Sequence, residues 1–158
     1  MDAAKHIDTF ELAAIVGKIG GGLYRFLEVI GHAGEAVTPE MYYRVADITE
    51  FNYPTKLATN FQDAGSLQYL STFGESGCLM PGDLGVTFID NHDTQPGHAG
   101  EAAPTHMSGA VFNLANILML AHPCGYPKVK QQRRREFWPE LTGSFLRLWS
   151  PPATLVLM

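Results

Sequence analysis

Charge is sparse in this chain: 17% of its 158 residues are Asp, Glu, Lys or Arg, and acids outnumber bases 16 to 11. A net charge of -5 argues against a surface built to hold nucleic acid. The only basic cluster, Arg133 to Arg135, reads as a solvated stretch rather than a binding patch. Cysteine is nearly absent too, and Cys78 and Cys124 make neither a disulfide framework nor a metal knuckle. No run reaches the roughly 18 apolar residues of a membrane span. The best candidate, residues 110–121, is interrupted by Asn113 and Asn116. No signal peptide is read at the start. A nucleophilic serine or cysteine has no support, because Ser76 and Cys78 lack a convincing partner.

What is present points to a globular α/β chain. Apolar residues make up 46%, enough for a core and too many for disorder. The length suits one ordinary domain and falls short of the roughly 250 residues of a complete (β/α)8 barrel. Residues 84–93, LGVTFIDNHD, organise the rest: an apolar, β-branched run gives way abruptly to two carboxylates, an amide and an imidazole. A buried strand ends this way when its last residues open into an active site.

The other elements follow in order. Asp8 or Thr9 caps a helix from residue 10 to about 18, with Phe10, Leu12, Ala13, Ile15 and Val16 on its apolar side. Residues 23–30 read as a nearly continuous strand, 39–43 as a short helix, and 45–51 as a strand with an acidic tip. Residues 54–61 read as a helix with proline at its first position, extended by 67–73, and 74–82 as loop. Residues 84–89 form the clearest strand, and 94–104 a Gly/Pro/Ala-rich connection suited to a lid. The clearest helix spans 107–120, with Val111, Leu114, Ala115 and Leu118 on one side and its asparagines facing outward. A short strand over 126–129 closes the pattern. Alternating strands and helices favour a parallel sheet.

Three carboxylates stand at or near strand ends: Asp2, Glu28 and Asp93. Phe26, Leu27, Val29 and Ile30 would surround Glu28 with apolar material and raise its pKa, as a general acid needs. A polar strand tip, or pairing with Arg25 or His32, is the plainer reading. Asp93 belongs either to a site or to a structural hydrogen-bond knot. Together they suggest glycoside hydrolysis, in which one carboxylate attacks the sugar and another protonates the departing oxygen. The rival chemistry is a metal-dependent hydrolase using His6, His92 and His98 with Asp90 and Asp93, though no HExxH motif or close Cys/His set supports it.

The residues carrying this chemistry resemble a known family. DAAKH at 2–6, FLEVIG at 26–31 and FIDNHD at 88–93 are similar to the three successive catalytic motifs of the alpha-amylase family of glycoside hydrolases. GEAV at 34–37, ITEFNY at 48–53, QPGH at 95–98 and MLAHPCGYPKV at 119–129 resemble the animal-type, chloride-dependent branch and its bacterial relatives. The resemblance implies a partial (β/α)8 TIM barrel, roughly strands four to eight with their outer helices. Residues 1–129 would form the C-terminal part of that catalytic barrel and 130–158 a divergent tail.

The implied activity is retaining endo-hydrolysis of α-1,4-glucosidic bonds in starch and glycogen. Asp2 becomes the nucleophile, Glu28 the general acid/base and Asp93 the transition-state stabiliser. Lys5, His6 and His92 become substrate contacts. The His6 backbone carbonyl would contribute to a calcium site, and Asn91 and Lys128 to a chloride site, both sites being incomplete in this sequence. Lys128 stands where the animal enzymes usually have arginine, keeping a cation but losing the fixed fork. Threonine at 94 and proline at 96 also depart from the pattern. The parent family is secreted. Its partner is an α-glucan, with neither nucleic acid nor membrane implied. The remaining half of the barrel would be needed for stability, so turnover by this chain alone is expected to be impaired or absent, leaving at most carbohydrate binding.

Overall fold

A computed structural model describes residues 1–32, 34–74, 79–94 and 103–130. The lid and QPGH readings over residues 95–102, with His98, lie outside the described residues, as do Ser76, Cys78 and the tail from residue 131. The core of the fold is a four-stranded, wholly parallel sheet of β1 (Phe26–Leu27), β2 (Asp47–Thr49), β3 (Gly85–Thr87) and β4 (Tyr126–Pro127), paired in chain order. Helix α1 (Thr9–Lys18) precedes β1. Helix α2 (Asn52–Gln62) lies between β2 and β3, and α3 (Ala110–Ala121) between β3 and β4. This is the α/β architecture with a parallel sheet that the alternating pattern predicts.

Two apolar layers cover the sheet. One joins Tyr53 and Leu57 of α2 to Ala115 and Met119 of α3, with Phe73, Ile89 and Cys124. The other packs Leu12 and Val16 of α1 against Leu27, Val29 and Ile48. Each fully buried large side chain contributes roughly 1.5–3 kcal/mol of burial.

The helix phases differ from the sequence reading. Asp8 caps α1 as expected, its Oδ1 accepting from the Phe10 and Glu11 amides at 2.9 and 3.4 Å. Phe10, however, is 84% exposed. Leu12 and Val16 sit one helical turn apart and take the core face, which leaves Phe10, two residues before Leu12, on the far side. In α3 the buried pair is Ala115 and Met119, and Leu114 is turned outward. The helix also starts later than read, because Gly109 (φ 56°) separates it from a 3-10 turn at His106–Ser108. Pro54 is the third residue of α2 rather than the first.

The strands are shorter than their apolar runs. Leu23 and Tyr24 lie outside β1 and are exposed. Tyr24 instead packs its ring 5.4 Å from that of Tyr126. At the junction of β3 and β4, Gly125 (φ +77°) leaves no room for a side chain. A Cβ there would meet Thr87 Cγ2 at 2.7 Å and the Gly85 carbonyl oxygen at 2.8 Å. Gly125→Ala is therefore expected to cost roughly 1–3 kcal/mol, read as a lower urea midpoint.

Candidate active site

Alternation along the strand places the first carboxylate. Leu27 and Val29 are buried against α1, so Glu28 faces the opposite side of the sheet. The backbone beside it is paired to the start of the chain. Met1 donates its amino group to the Phe26 carbonyl at 2.8 Å, Glu28 N donates to Met1 O at 2.9 Å, and Ala4 N donates to Glu28 O at 2.8 Å. The first two bonds have the pattern of a parallel ladder, and they set Asp2 beside Glu28. Ala3 then turns the chain through a left-handed conformation (φ 47°, ψ 36°) into a 3-10 turn at Ala4–His6.

The third carboxylate comes from beyond β3. Phe88, Ile89 and Asp90 are buried. Asn91 closes a tight turn: its Oδ1 accepts from the Asp93 and Thr94 amides at 3.0 and 2.8 Å, and its own amide donates to Thr94 Oγ1 at 2.8 Å. The turn lifts His92 and Asp93 toward the other strands. His92 Nε2 lies 3.3 Å from Asp2 Oδ2 and 3.5 Å from Asp93 Oδ1. One atom from each of Asp2, Glu28, His92 and Asp93 falls within 4.8 Å of all the others.

The electrostatics divide the carboxylates by role. Glu28 is 8% exposed, and its Oε1 is shielded from solvent with no hydrogen-bond partner. Burial pushes its pKa up to about 7, helped by the hydrogen bond to Asp2 and by the charges of Asp2 and Asp93. Asp2 moves the opposite way: the proton on Glu28 hydrogen-bonds to it and holds it below the usual carboxylate range, and His92 adds to the effect. One acid that keeps its proton thus stands beside one that has lost it. Arg25 does not pair with Glu28; it donates instead to the Val16 carbonyl at 2.8 Å.

A hollow of about 220 Å³ opens over these groups. Lys5 and His6 line it, together with Ala3, Ile30 and His32. Lys5 Nζ donates to the Ile30 carbonyl at 3.1 Å and lies 3.5 Å from Glu35 Oε2. Glu35 also accepts from the His32 amide at 3.3 Å, bracing the loop after β1. Tyr53, at the end of the ITEFNY segment, is fully buried in the core.

The groups that the resemblance assigns to calcium and chloride do not by themselves complete a site for either ion. Calcium takes six to eight oxygens, of which the resemblance assigns here the His6 carbonyl alone. For an anion, Asn91 has its side-chain oxygen committed to the turn, and Lys128 Nζ stands 4.4 Å above the Phe26 ring. As for the metal-hydrolase reading, His92 is the one histidine in the cluster among the described residues, and His6 is not part of it.

No family model matches the chain. Curated relatives do. An alpha-amylase of Aeromonas hydrophila is 41% identical over 138 residues, covering 86% of this chain and 30% of its own length. The Homo sapiens alpha-amylase 2B is 32% identical over 168 residues, covering 96% of this chain and 32% of its own. The chain belongs to the alpha-amylase family. Among solved structures, alpha-amylase I from Eisenia fetida superposes with a TM-score of 0.73 at 28% identity, over 84% of this chain and 30% of that one. The chain thus spans about 30% of the length of the alpha-amylases it matches.

Proposed function

We propose that this chain supplies the catalytic carboxylates for retaining endo-hydrolysis of α-1,4-glucosidic bonds in starch and glycogen. The observation that carries the reading is the opposed titration of Asp2 and Glu28, with a carboxylate oxygen of each within 4.8 Å of the other. Retaining enzymes hold their two carboxyls roughly 5–5.5 Å apart, whereas inverting ones leave about 6.5–9.5 Å for a water. Ionised Asp2 attacks the anomeric carbon as protonated Glu28 gives its proton to the departing glycosidic oxygen. Water, deprotonated by Glu28, then displaces Asp2 and returns the same configuration. His92 and Asp93 hydrogen-bond sugar hydroxyls as the ring flattens. Lys5 and His6 hold the chain beyond the broken bond. One relative, alpha-amylase I from Eisenia fetida, has been solved as a mutant in complex with maltohexaose, a ligand of the class proposed here.

The sheet corresponds, on this reading, to successive strands in the second half of a (β/α)8 barrel. The rest of the barrel is the natural cover for the exposed Tyr24 and Tyr126. His6 would offer one carbonyl to calcium, and Asn91 Nδ2 with Lys128 would hold chloride. An anion there would disfavour ionisation of Glu28.

The test is the anomeric form of the first product from soluble starch, followed by proton NMR. The chain is assayed alone and mixed with a polypeptide matching the relatives' remaining length. Initial release of the α-anomer, with more of it in the mixture, is expected. Initial β-anomer would overturn retention. Glucan binding with no release in either sample would favour a carbohydrate-binding fragment.

A further inference from the structure

His92 and Asp93 reach the site without being packed into it. Their side chains are 60% and 51% exposed, so burial does not hold His92 Nε2 at 3.3 Å from Asp2 Oδ2 and 3.5 Å from Asp93 Oδ1. Their placement depends on the backbone of the turn that carries them. That turn lies beyond the paired residues of β3, where the ladder no longer fixes the chain.

Asn91 anchors the turn through its amide, its side chain and its carbonyl. The amide donates to Thr94 Oγ1 at 2.8 Å, Oδ1 accepts from the Thr94 amide at 2.8 Å, and the carbonyl accepts from Lys130 Nζ at 3.2 Å. Thr94 closes the turn from within. It is 3% exposed, so removing its hydroxyl would strip the Asn91 amide of that acceptor where water does not readily replace it. Threonine at 94 is itself one of this chain's departures from the animal-type pattern. Lys130 closes the turn from outside, from 39 residues further along the chain. Past the end of β4 the backbone stays beside β3, with the Lys128 amide donating to the Thr87 carbonyl at 2.7 Å. Half-buried Lys130 then reaches across to Asn91, and a bond from a charged donor is of the stronger kind.

We propose that Thr94 and Lys130 are positioning residues for the reaction, setting the turn that presents His92 and Asp93 and acting through that turn rather than on the sugar. The proposal rests on the glycosidase reading above. Because Asp93 is assigned to the transition state, a loosened turn lowers kcat more than it raises KM.

Two readouts test it. In the mixture with the relatives' remaining length, Lys130→Met and Thr94→Val are each expected to lower kcat on starch about tenfold. The pair should lower it about a hundredfold, the scale of a misplacement near 1 Å, with KM changed less than about twofold. Thr94→Ser, which keeps the hydroxyl, and Lys130→Arg, which keeps a charged donor, should restore most of the rate. The second readout needs no turnover. After the hydrogen bond from Glu28, His92 helps to hold the Asp2 carboxyl below the usual range. Carbon-13 NMR of labelled aspartate in the 158-residue chain should show the Asp2 pKa rising in Lys130→Met and Thr94→Val and returning in Thr94→Ser. If Thr94→Val does not fold, Lys130→Met decides alone, since it changes no core residue. An Asp2 pKa unmoved in Lys130→Met, a kcat unmoved where the parent mixture is active, or a loss that Thr94→Ser does not restore would overturn the assignment. Failure of the glycosidase reading shows differently, as a parent mixture that releases no sugar while the Asp2 readout still responds.

Discussion

Glu28→Gln is expected to lower the rate of starch hydrolysis about a thousandfold, within the range that general acid/base catalysis contributes. The amide keeps the shape of the buried side chain but has no transferable proton. The parent rate should fall as pH rises past about 7, where Glu28 ionises; the variant's residual rate should lose that limb. Recording both profiles with and without chloride also reads any contribution of the proposed anion site.

The same substitution changes stability in a defined direction. Glu28 binds its proton more tightly in the folded chain, with a pKa of about 7 against an ordinary 4.5. Its stabilising effect is therefore complete below 4.5 and is lost as pH rises to about 7. The differential is on the order of 3 kcal/mol at most, since the group titrates together with Asp2. Urea midpoints at pH 5 and pH 8 should differ more for the parent than for Glu28→Gln. An equal difference in both would show that Glu28 titrates normally.

Asp2→Asn is expected to be at least as damaging, on the order of 10⁴-fold, because no group remains to form the covalent intermediate. It carries a second signature. Without the Asp2 charge and hydrogen bond, the Glu28 pKa falls; with burial still in place, it stays above the ordinary carboxylate range. Carbon-13 NMR of labelled glutamate measures this directly. A Glu28 pKa unmoved by Asp2→Asn would mean that the two carboxyls do not communicate.

How much was legible beforehand follows from what each signal depends on. Glu28, His92 and Asp93 could be read because polar groups ending apolar strand runs are costly unless used; Asp2, with a single residue before it, was singled out by the resemblance of DAAKH at 2–6. The cap at Asp8 was equally local. Phe10 and Leu114 were misplaced because both helices are apolar over much of their circumference. Which residues then face the sheet is set by what the helix meets: Leu12 with Val16, and Ala115 with Met119. Leu23 and Tyr24 look like strand by composition, but pairing needs a neighbour, and within the 23–30 run β2 takes up Phe26 and Leu27 alone. A second, larger cleft beside the carboxylates left no signal in the sequence. It lies between the loop after β1, the tip of β2 and the segment before β3, and only their meeting creates it.

The parallel sheet also governs how the chain finds its fold. Phe26 pairs with Asp47, Ile48 with Gly85 and Val86 with Tyr126, separations of 21, 37 and 40 residues (47 − 26, 85 − 48 and 126 − 86). Each ladder closes a long loop before it gains a bond, and such topologies assemble slowly, with unsatisfied edges exposed on the way. The order across the sheet is also the order of synthesis, so every new strand emerges beside an edge already prepared to receive it.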